Sequence, residues 1–402
     1  MTTELAHGDA ENPTVQRPSS IVSPSGRPVF PALAALGSLV FLIALLAPQG
    51  FDPSALINVG TTLSDAAALP PLLNVVRDGD GYDGQFAYRL ALNPLTSERT
   101  LDGLTLDLPA YRQQRILYPA LAWASAFGQA TLVPFTLPLV NVVAIAVLTW
   151  LTALFAGIHG RGALLSIAVA ALPAFAIALA NDLGEIVLAA ALVGGAVALE
   201  RKRPVLVAVW LSLAALAHEH GVLLVLAVAI VMVAAPELRT RGWVWTWLLP
   251  LAIFVGWQIY LNLVWGETPI RVAIGYLNQP PRGFLSVARG MIPPRSLSDV
   301  LHLCGFAYAL LLSGGCVWAL RTTETHRGVC LGWVFASGLL FLGTGVVWAT
   351  ELTFWRAATA PVILGSLVLI GSRARIVPPL MILGGAFGLL MGARLVWIAW
   401  RL

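Results

Sequence analysis

The chain alternates between apolar runs and short polar loops. A helix that crosses the hydrocarbon core of a bilayer needs about 20 mainly apolar residues. Eleven runs are predicted as membrane helices: Val29–Leu46, Leu132–Gly157, Ala163–Ala180, Glu185–Leu199, Val205–Ala217, Gly221–Ala235, Trp243–Val264, Val300–Leu320, Val329–Ala349, Ala357–Gly371 and Val377–Ile398. The pattern predicts an all-α, polytopic membrane protein with about 11 transmembrane helices.

Basic residues occupy alternate loops between these runs. They are Arg161, the cluster Arg201-Lys202-Arg203, and the pairs Arg239 with Arg241, Arg321 with Arg327, and Arg373 with Arg375. Lys and Arg in short loops mark the cytoplasmic side, so we expect these loops and the N-terminus to be cytoplasmic. The intervening loops carry acids and histidines instead. We therefore expect the chemically capable residues to lie on the extracytoplasmic face, in a plasma membrane.

Composition supports a membrane protein and excludes several other classes. Of 402 residues, 58% are hydrophobic and 11% are charged, and the mean hydropathy is +0.82, values that a water-soluble domain would not tolerate. The net charge of +4 is spread between the apolar runs, which argues against nucleic acid as a partner. Cys304, Cys316 and Cys330 have neither paired nor metal-ligand spacing, so we expect no disulfide and no zinc.

The predicted organisation is one membrane domain with a tail. Residues 1–28 are rich in Ser, Pro, Thr and Glu and are predicted to be a disordered cytoplasmic tail. Residues 29–402 form the transmembrane domain, in which two extracytoplasmic loops are long: residues 50–118 and residues 266–299. Prolines forbid a single long helix in the second loop, which is interpreted either as a lid or as a passive connector. We expect the functional residues mainly in these loops.

Three aspartates lie close together in the first long loop. The segment from Arg77 to Tyr88 reads RDGDGYDGQFAY and contains Asp78, Asp80 and Asp83. Carboxylates this close raise one another's pKa, and burial raises it further, as a general base requires. Asp alternating with Gly is also typical of an ordinary solvated turn, and the cluster could hold a divalent cation. We favour a site without metal.

Two arginines follow in a short apolar segment of the same loop. Residues 111–123 read YRQQRILYPALAW, too short to span a bilayer but suited to lie in the interface. Arg112 and Arg115 would then face the level of lipid phosphates. Snorkelling of two isolated arginines explains the same pattern.

The first loop resembles that of the GT-C glycosyltransferases. The resemblance depends on Tyr82-Asp83 with Phe86, on the stretch YRLALNP that begins at Tyr88, and on RILYP, which ends at Pro119. Mannosyltransferases of the GPI-anchor pathway have an aromatic-Asp pair early in this loop and an aromatic-Leu-Tyr-Pro near its end. This chain has Tyr82 where those enzymes have Trp, so their substrates are not transferred to it.

The resemblance implies an inverting enzyme that moves a sugar from a polyprenyl-phosphate carrier to a glycan, lipid or protein acceptor, with membrane lipids as its surroundings and no cofactor. It implies Asp83 as the general base, with Asp80 in reserve. The residues expected to bind substrate are Asp78, Tyr82, Gln85, Arg112, Arg115, His218, His220 and Arg356.

The remaining polar residues on this side have simpler explanations. Asp182 and Glu185 are interpreted as carboxylates at a helix N-terminus, and Glu351 with Arg356 as a local ion pair. Two other functions stay open. A lipid-linked glycan transporter or flippase would need polar residues through the membrane, where the runs offer little beyond Asn141, Gln258 and Asn262. A glycan ligase or polymerase would share the transferase chemistry.

Overall fold

The computed structural model describes residues 28–234 and 241–401. The predicted cytoplasmic tail, residues 1–28, lies outside the described residues except for Pro28, and so does Arg239. Twenty α-helices occupy most of the described residues. In chain order they are α1 (Val29–Leu46), α2 (Ser54–Ile57), α3 (Gly84–Leu92), α4 (Pro109–Gln113), α5 (Leu117–Ser125), α6 (Val133–Ile158), α7 (Leu165–Ala170), α8 (Pro173–Ala180), α9 (Glu185–Glu200), α10 (Pro204–Ala217), α11 (Gly221–Ala234), α12 (Arg241–Trp265), α13 (Pro269–Gly275), α14 (Arg282–Gly290), α15 (Leu297–Ala319), α16 (Arg327–Phe341), α17 (Gly345–Trp348), α18 (Glu351–Ala357), α19 (Thr359–Ile370) and α20 (Val377–Ala399).

The first long loop also contains short strands that the sequence pattern did not predict. The parallel pair is β1 (Val59–Gly60) with β2 (Val76–Arg77), and the antiparallel pair is β3 (Thr100–Leu101) with β4 (Leu104–Thr105). Strands of two residues are too short to show an alternating pattern. The prediction of a helical protein is otherwise confirmed.

Within the described residues, five helices are long and apolar enough to cross a membrane. They lie within Val29–Gln49, Ala130–Ile158, Gly242–Trp265, Leu297–Ala319 and Val377–Ala399, and a sixth candidate joins α18 to α19 across a bend of 54°. Helices α10, α11 and α16 are apolar but shorter. At 1.5 Å per residue, helices of 14 or 15 residues measure about 21–23 Å, less than the hydrocarbon core of about 30 Å.

All eleven predicted runs are helical, but two of them are broken. Ala163–Ala180 divides into α7 and α8, because Pro173 opens α8 with Leu172 extended before it. Val329–Ala349 divides into α16 and α17. Between these two helices the chain bonds to the second long loop, through the amide of Asn278 to the carbonyl of Leu342 and the amide of Thr344 to the carbonyl of Tyr276.

Helix α9 lies at the centre of the core, with nearly every residue buried. It packs against α6, α10 and α19. Close approach depends on small residues: a Cβ on Gly194 would lie 2.3 Å from the Trp210 ring, and one on Gly388 would meet the carbonyl oxygen of Ala171. Small residues at helix crossings are typical of membrane proteins.

Large apolar side chains cover the outer faces of the peripheral helices. Examples are Leu36 and Ile43 on α1, Val205 on α10, and Leu389 and Leu390 on α20, all of them exposed. An aqueous surface would not carry so much contiguous apolar area. The apolar candidate spans and these exposed faces together indicate a membrane protein.

The first long loop packs against the helix ends between α8 and α9. Helix α3 contacts α5, and its first residue, Gly84, allows a very close approach. A Cβ on Gly84 would lie 2.4 Å from the carbonyl oxygen of Asn181 and 2.7 Å from that of Ile57. This contact brings Asp83, immediately before α3, next to the loop that carries Asp182.

Candidate functional site

A polar cavity of about 60 Å³ opens where the first long loop meets the ends of α8, α10 and α18. A cavity of this size has room for a few water molecules. Its apolar wall includes Phe86, Leu90 and Leu183. The titratable side chains that line it are Asp83, Arg112, Arg115, Tyr118, Asp182, Glu185, His218 and Arg356. Residues from five separate parts of the chain therefore share one site.

Asp83 lies between two arginines from different elements. Its Oδ1 is 3.0 Å from Nη1 of Arg112 on α4, and its Oδ2 is 2.8 Å from Nη2 of Arg356 on α18. The Asp83 side chain is 23% exposed. Arg112 also stacks on the Phe86 ring at 4.0 Å, which fixes the plane of the guanidinium. The two arginines hold both oxygens of one carboxylate at the cavity wall.

Each of the two arginines that contact Asp83 has a second carboxylate partner. Nε and Nη2 of Arg112 donate to Asp107 at 2.8 and 2.7 Å, and Nε of Arg356 donates to Oε1 of Glu185 at 2.7 Å. Such bidentate and bridging geometry suits the planar guanidinium and not an ammonium. Removal of Asp83 would therefore leave neither arginine without a counter-ion.

Arg115 forms a separate buried pair. Its Nε and Nη2 donate to the Glu219 carboxylate at 2.9 and 2.6 Å, and Nη2 also donates to the hydroxyl of Tyr111 at 2.7 Å. The side chains of Arg115 and Glu219 are 20% and 13% exposed. Glu219 is therefore the counter-ion of Arg115 within the protein, and the expected contact of Arg115 with a lipid phosphate stays a prediction.

The arginines strongly favour the ionised form of the site carboxylates. Burial alone would raise the pKa of Asp83, but Arg356 and Arg112 outweigh it and lower that pKa to about 2. Burial also opposes ionisation of Glu219, and Arg115 again prevails, so the pKa of Glu219 lies well below its usual value. Asp83 is consequently ionised at neutral pH but weakly basic while both arginines hold it.

Arg115 and Arg356 contact their carboxylates through Nε and Nη2, and a neutral histidine lies beside them. Arg115 donates to Glu219 through these two nitrogens, and Arg356 donates through Nε to Glu185 and pairs through Nη2 with Asp83. His218 is neutral, because burial and the nearby Arg115 lower its pKa well below the usual value. Its Nδ1 lies 3.2 Å from the amide nitrogen of His220 and 3.2 Å from Oε2 of Glu219. Because the imidazole is neutral, the contact with Glu219 is not an ion pair.

Asp182 differs from the other carboxyl groups of the site. Its side chain is fully buried and lines the cavity, and neither carboxyl oxygen has a hydrogen-bond partner. The backbone has φ +47°, a conformation that Asp, Asn and Gly tolerate best. Burial raises the pKa of Asp182 well above its usual value, and the nearby Tyr118 hydroxyl, which acts in the opposite direction, does not offset this effect.

The other predicted first-loop residues lie around the cavity rather than in its wall. Asp78 and Asp80 are exposed. Gln85 is buried, where its Oε1 accepts from the amide of Gly60 at 3.2 Å and its Nε2 donates to the carbonyl of Asp80 at 2.7 Å. Gln85 thus stabilises the turn before Asp83 through these two hydrogen bonds. The Tyr82 ring lies under the Arg356 guanidinium at 5.3 Å.

Three interpretations of single residues are corrected by the structure. Glu351 pairs with Arg394 of α20, so it is not the partner of Arg356. Asp182 and Glu185 do not cap α9, because Gly184 is its N-cap and no side chain bonds there. His220 stacks on His218 with ring centroids 4.4 Å apart, but the cavity wall includes only His218.

Sequence reasoning missed the partners of the arginines. Asp107 and Glu219 were not expected to neutralise cations, and Asp182 and Glu185 were explained by helix capping. For Arg356 and Glu185 the pairing joins residues 171 positions apart, and for Arg115 and Glu219 residues 104 apart. The only sequence signal was that all of them fall in loops of one predicted side.

Metal ligation and similarity to known proteins give no further assignment. Within the part of the chain that the structure describes, no three His, Cys, Asp or Glu side chains are grouped so that they could hold a metal ion. No protein-family model matches the chain, and neither a curated protein nor a solved structure matches it significantly. The geometry of the cavity therefore carries the functional argument.

Proposed function

We propose that this chain is an integral-membrane, GT-C-type glycosyltransferase that moves a sugar from a polyprenyl-phosphate carrier to a glycan, lipid or protein acceptor, with inversion, at the extracytoplasmic face. One observation carries the proposal. The Asp83 carboxylate and the guanidiniums of Arg115 and Arg356 line the same cavity. A base and an anion-binding group side by side are what such a transfer needs.

The donor phosphate is bound by the cationic wall of the cavity. The guanidiniums of Arg115 and Arg356, with the His218 imidazole beside them, supply N–H groups to its oxygens. These groups are partly desolvated, so each charge-assisted bond is stronger than it would be in water. The same donors stabilise the charge that develops on the phosphate as the sugar leaves it.

Binding of the phosphate also activates the base. An anion beside Arg356 and Arg112 competes with Asp83 for their positive charge and repels its carboxylate. Both effects raise the pKa of Asp83 from its low value towards the range of a general base. The acceptor oxygen then attacks the anomeric carbon, the bond from that carbon to the phosphate oxygen breaks, and the acceptor proton passes to Asp83.

The proposal includes the membrane topology predicted from the loops. We assign all eleven apolar runs to the membrane domain, the shorter ones buried among the longer, and we place the cavity opposite the cytoplasm because the arginine-rich loops lie at the other helix ends. The short helices α3, α4 and α5 then lie at the interface, where a carrier lipid presents its phosphate. Asp80 remains the reserve base, although it is exposed.

A transporter or flippase is the principal alternative, and the helix interiors argue against it. The buried hydroxyls of Thr149, Thr152, Ser212 and Ser366 each donate to a carbonyl of their own helix four residues back. Nδ2 of Asn141 donates to the Tyr118 hydroxyl and to the carbonyl of Leu183, and its Oδ1 has no partner among the described residues. Among the described residues these groups offer no chain of free polar sites across the membrane.

The proposal is tested by Asp83→Asn, with Asp80→Asn as the matched control. Each variant is expressed in a strain that lacks the chromosomal copy, and the glycolipids and glycans are analysed by mass spectrometry. We expect Asp83→Asn to lose product by a factor of about 10² or more, whereas Asp80→Asn keeps it. Unchanged product with Asp83→Asn at normal protein levels would remove Asp83 from the mechanism.

The lipid that copurifies with the protein separates the remaining alternative. A monosaccharide attached to a polyprenyl phosphate supports a transferase. An oligosaccharide on a pyrophosphate carrier would favour a ligase or polymerase that joins whole lipid-linked glycans.

A further inference from the structure

Asp182 is a buried acid that the proposed mechanism does not use. The arginines of the cavity are paired with other carboxylates, Arg356 with Asp83 and Glu185, and Arg115 with Glu219. The Tyr118 hydroxyl, the polar group that interacts with Asp182 from α5, donates its proton to the carbonyl of Leu137 at 2.9 Å. Within the described residues, neither carboxyl oxygen of Asp182 therefore has a counter-ion or a hydrogen-bond partner, and the Tyr118 hydroxyl is the neighbour that most favours its ionised form.

A carboxyl in this position is stable only as the neutral acid. An isolated buried carboxylate is so costly that the group takes up a proton instead. The neutral form has one O–H donor and a carbonyl acceptor. That combination matches a hydroxyl group, which also donates and accepts, and it does not match a phosphate or a cation.

We infer that Asp182 binds a sugar hydroxyl as a neutral carboxylic acid, which makes it a further substrate-binding residue of the cavity. This inference rests on the proposed function, because it assigns the group that recognises the carbohydrate beside the phosphate. The loop geometry agrees with such a role. Gly84 packs against Asn181, so the α8–α9 loop and the base Asp83 are held in contact.

Protonation of Asp182 is measured independently of any reaction. The infrared difference spectrum of wild-type protein minus Asp182→Asn, at neutral pH, should contain the C=O band of a protonated carboxylic acid. Asn keeps the preference for positive φ, so the backbone is unchanged. The band should shift when delipidated protein receives its copurified lipid fraction. A spectrum without the band, or a band that does not respond to the lipid, would overturn the inference.

Two substitutions separate hydroxyl binding from base catalysis and from a purely structural role. Asp182→Asn still donates and accepts, so we expect it to keep most of the product that wild type forms. Asp182→Gly removes the carboxyl and relaxes the backbone, and we expect product formation to fall about 10-fold or more. Its thermal midpoint without substrate should equal or exceed that of wild type, because an unsatisfied buried group is gone.

Kinetics identify the source of the hydroxyl. An increase in the KM for the lipid donor with Asp182→Gly places the hydroxyl on the transferred sugar. An increase in the KM for the acceptor places the hydroxyl on the acceptor. Full activity of Asp182→Gly would refute the binding role, and loss of activity in Asp182→Asn equal to that in Asp83→Asn would make Asp182 a base. Absence of product from wild type would instead refute the proposed function, while the infrared band would still report on Asp182.

Discussion

Glu219→Gln should be among the most destabilising single changes of charge in this protein, although Glu219 is not assigned to the reaction. Glu219 is the carboxylate partner of Arg115, whose guanidinium is 20% exposed and receives a second contact only from the neutral Tyr111 hydroxyl. A neutral amide at position 219 leaves a buried guanidinium without a counter-ion. Removal of one partner of a buried ion pair lowers the free energy of unfolding by about 3–5 kcal/mol.

The chain offers a matched control for this change. Glu324 pairs with Arg373 at 2.6 Å, the same distance as the pair of Glu219 and Arg115, but the two side chains are 57% and 83% exposed. An exposed pair contributes between about 0 and 1 kcal/mol. Glu324→Gln should therefore change stability by less than a third of the effect of Glu219→Gln, although both substitutions remove one carboxylate from an ion pair of equal length.

Denaturant-induced unfolding of the detergent-solubilised protein measures both free energies, and the thermal midpoint gives a second measure. A double variant, Arg115→Gln with Glu219→Gln, should recover much of the loss, because neither partner is then charged. Equal destabilisation by Glu219→Gln and Glu324→Gln would refute the argument. It would mean that water or another anion reaches Arg115 in the absence of Glu219.

Other consequences of the same geometry can be checked one by one. Asp83 has a folded pKa of about 2, below the unfolded value of about 3.9; its stabilising effect is therefore present above pH 4 and is lost as the pH falls towards 2. The difference in thermal midpoint between wild type and Asp83→Asn should be constant from pH 5 to 7 and should shrink between about pH 4 and 2; a difference that grows on acidification would contradict it. Arg356→Lys keeps the charge but cannot bridge Glu185 and Asp83, so product formation should fall about 10-fold or more while expression is normal; full activity would show that charge alone suffices. Gly84→Ala places a methyl group against two backbone carbonyls and should lower the unfolding free energy by about 1–3 kcal/mol, together with activity, whereas Gly157→Ala, where nothing lies within 4 Å of the added Cβ, should lower neither.

The helical elements were predictable because hydropathy is a local property. Each of the eleven apolar runs is helical, two of them with a break, and the prolines of the second long loop divide it into α13 and α14 as expected. The same signal could not decide which runs span a membrane. A short helix such as α10, with 14 residues, and a candidate span such as α12, with 25, are both apolar, and their lengths and surroundings differ.

Part of the membership of the site was predictable, but the pairing within it was not. Alternating loop charge placed Asp83, Arg112, Arg115, His218 and Arg356 on one side, and the structure brings all of them to one cavity. Pairing depends on tertiary packing. The expected partners of Arg356 and Glu351 were five residues apart, whereas the actual partners belong to α9 and α20. A pairing inferred from proximity in the sequence was therefore wrong, because the fold brings partners from distant parts of the chain closer to both side chains.

The balance of charge explains why Asp83 and Asp182 have different roles. Three guanidiniums, those of Arg112, Arg115 and Arg356, meet five carboxyl groups: Asp83, Asp107, Asp182, Glu185 and Glu219. Five charged carboxylates would repel an anionic donor, so the site can accept a phosphate only if some of them are neutral or give up an arginine. Asp182 meets this condition by remaining protonated. Asp83 meets the condition by giving up its arginines to the phosphate. When the phosphate displaces Asp83, Arg112 still pairs with Asp107 and Arg356 still pairs with Glu185.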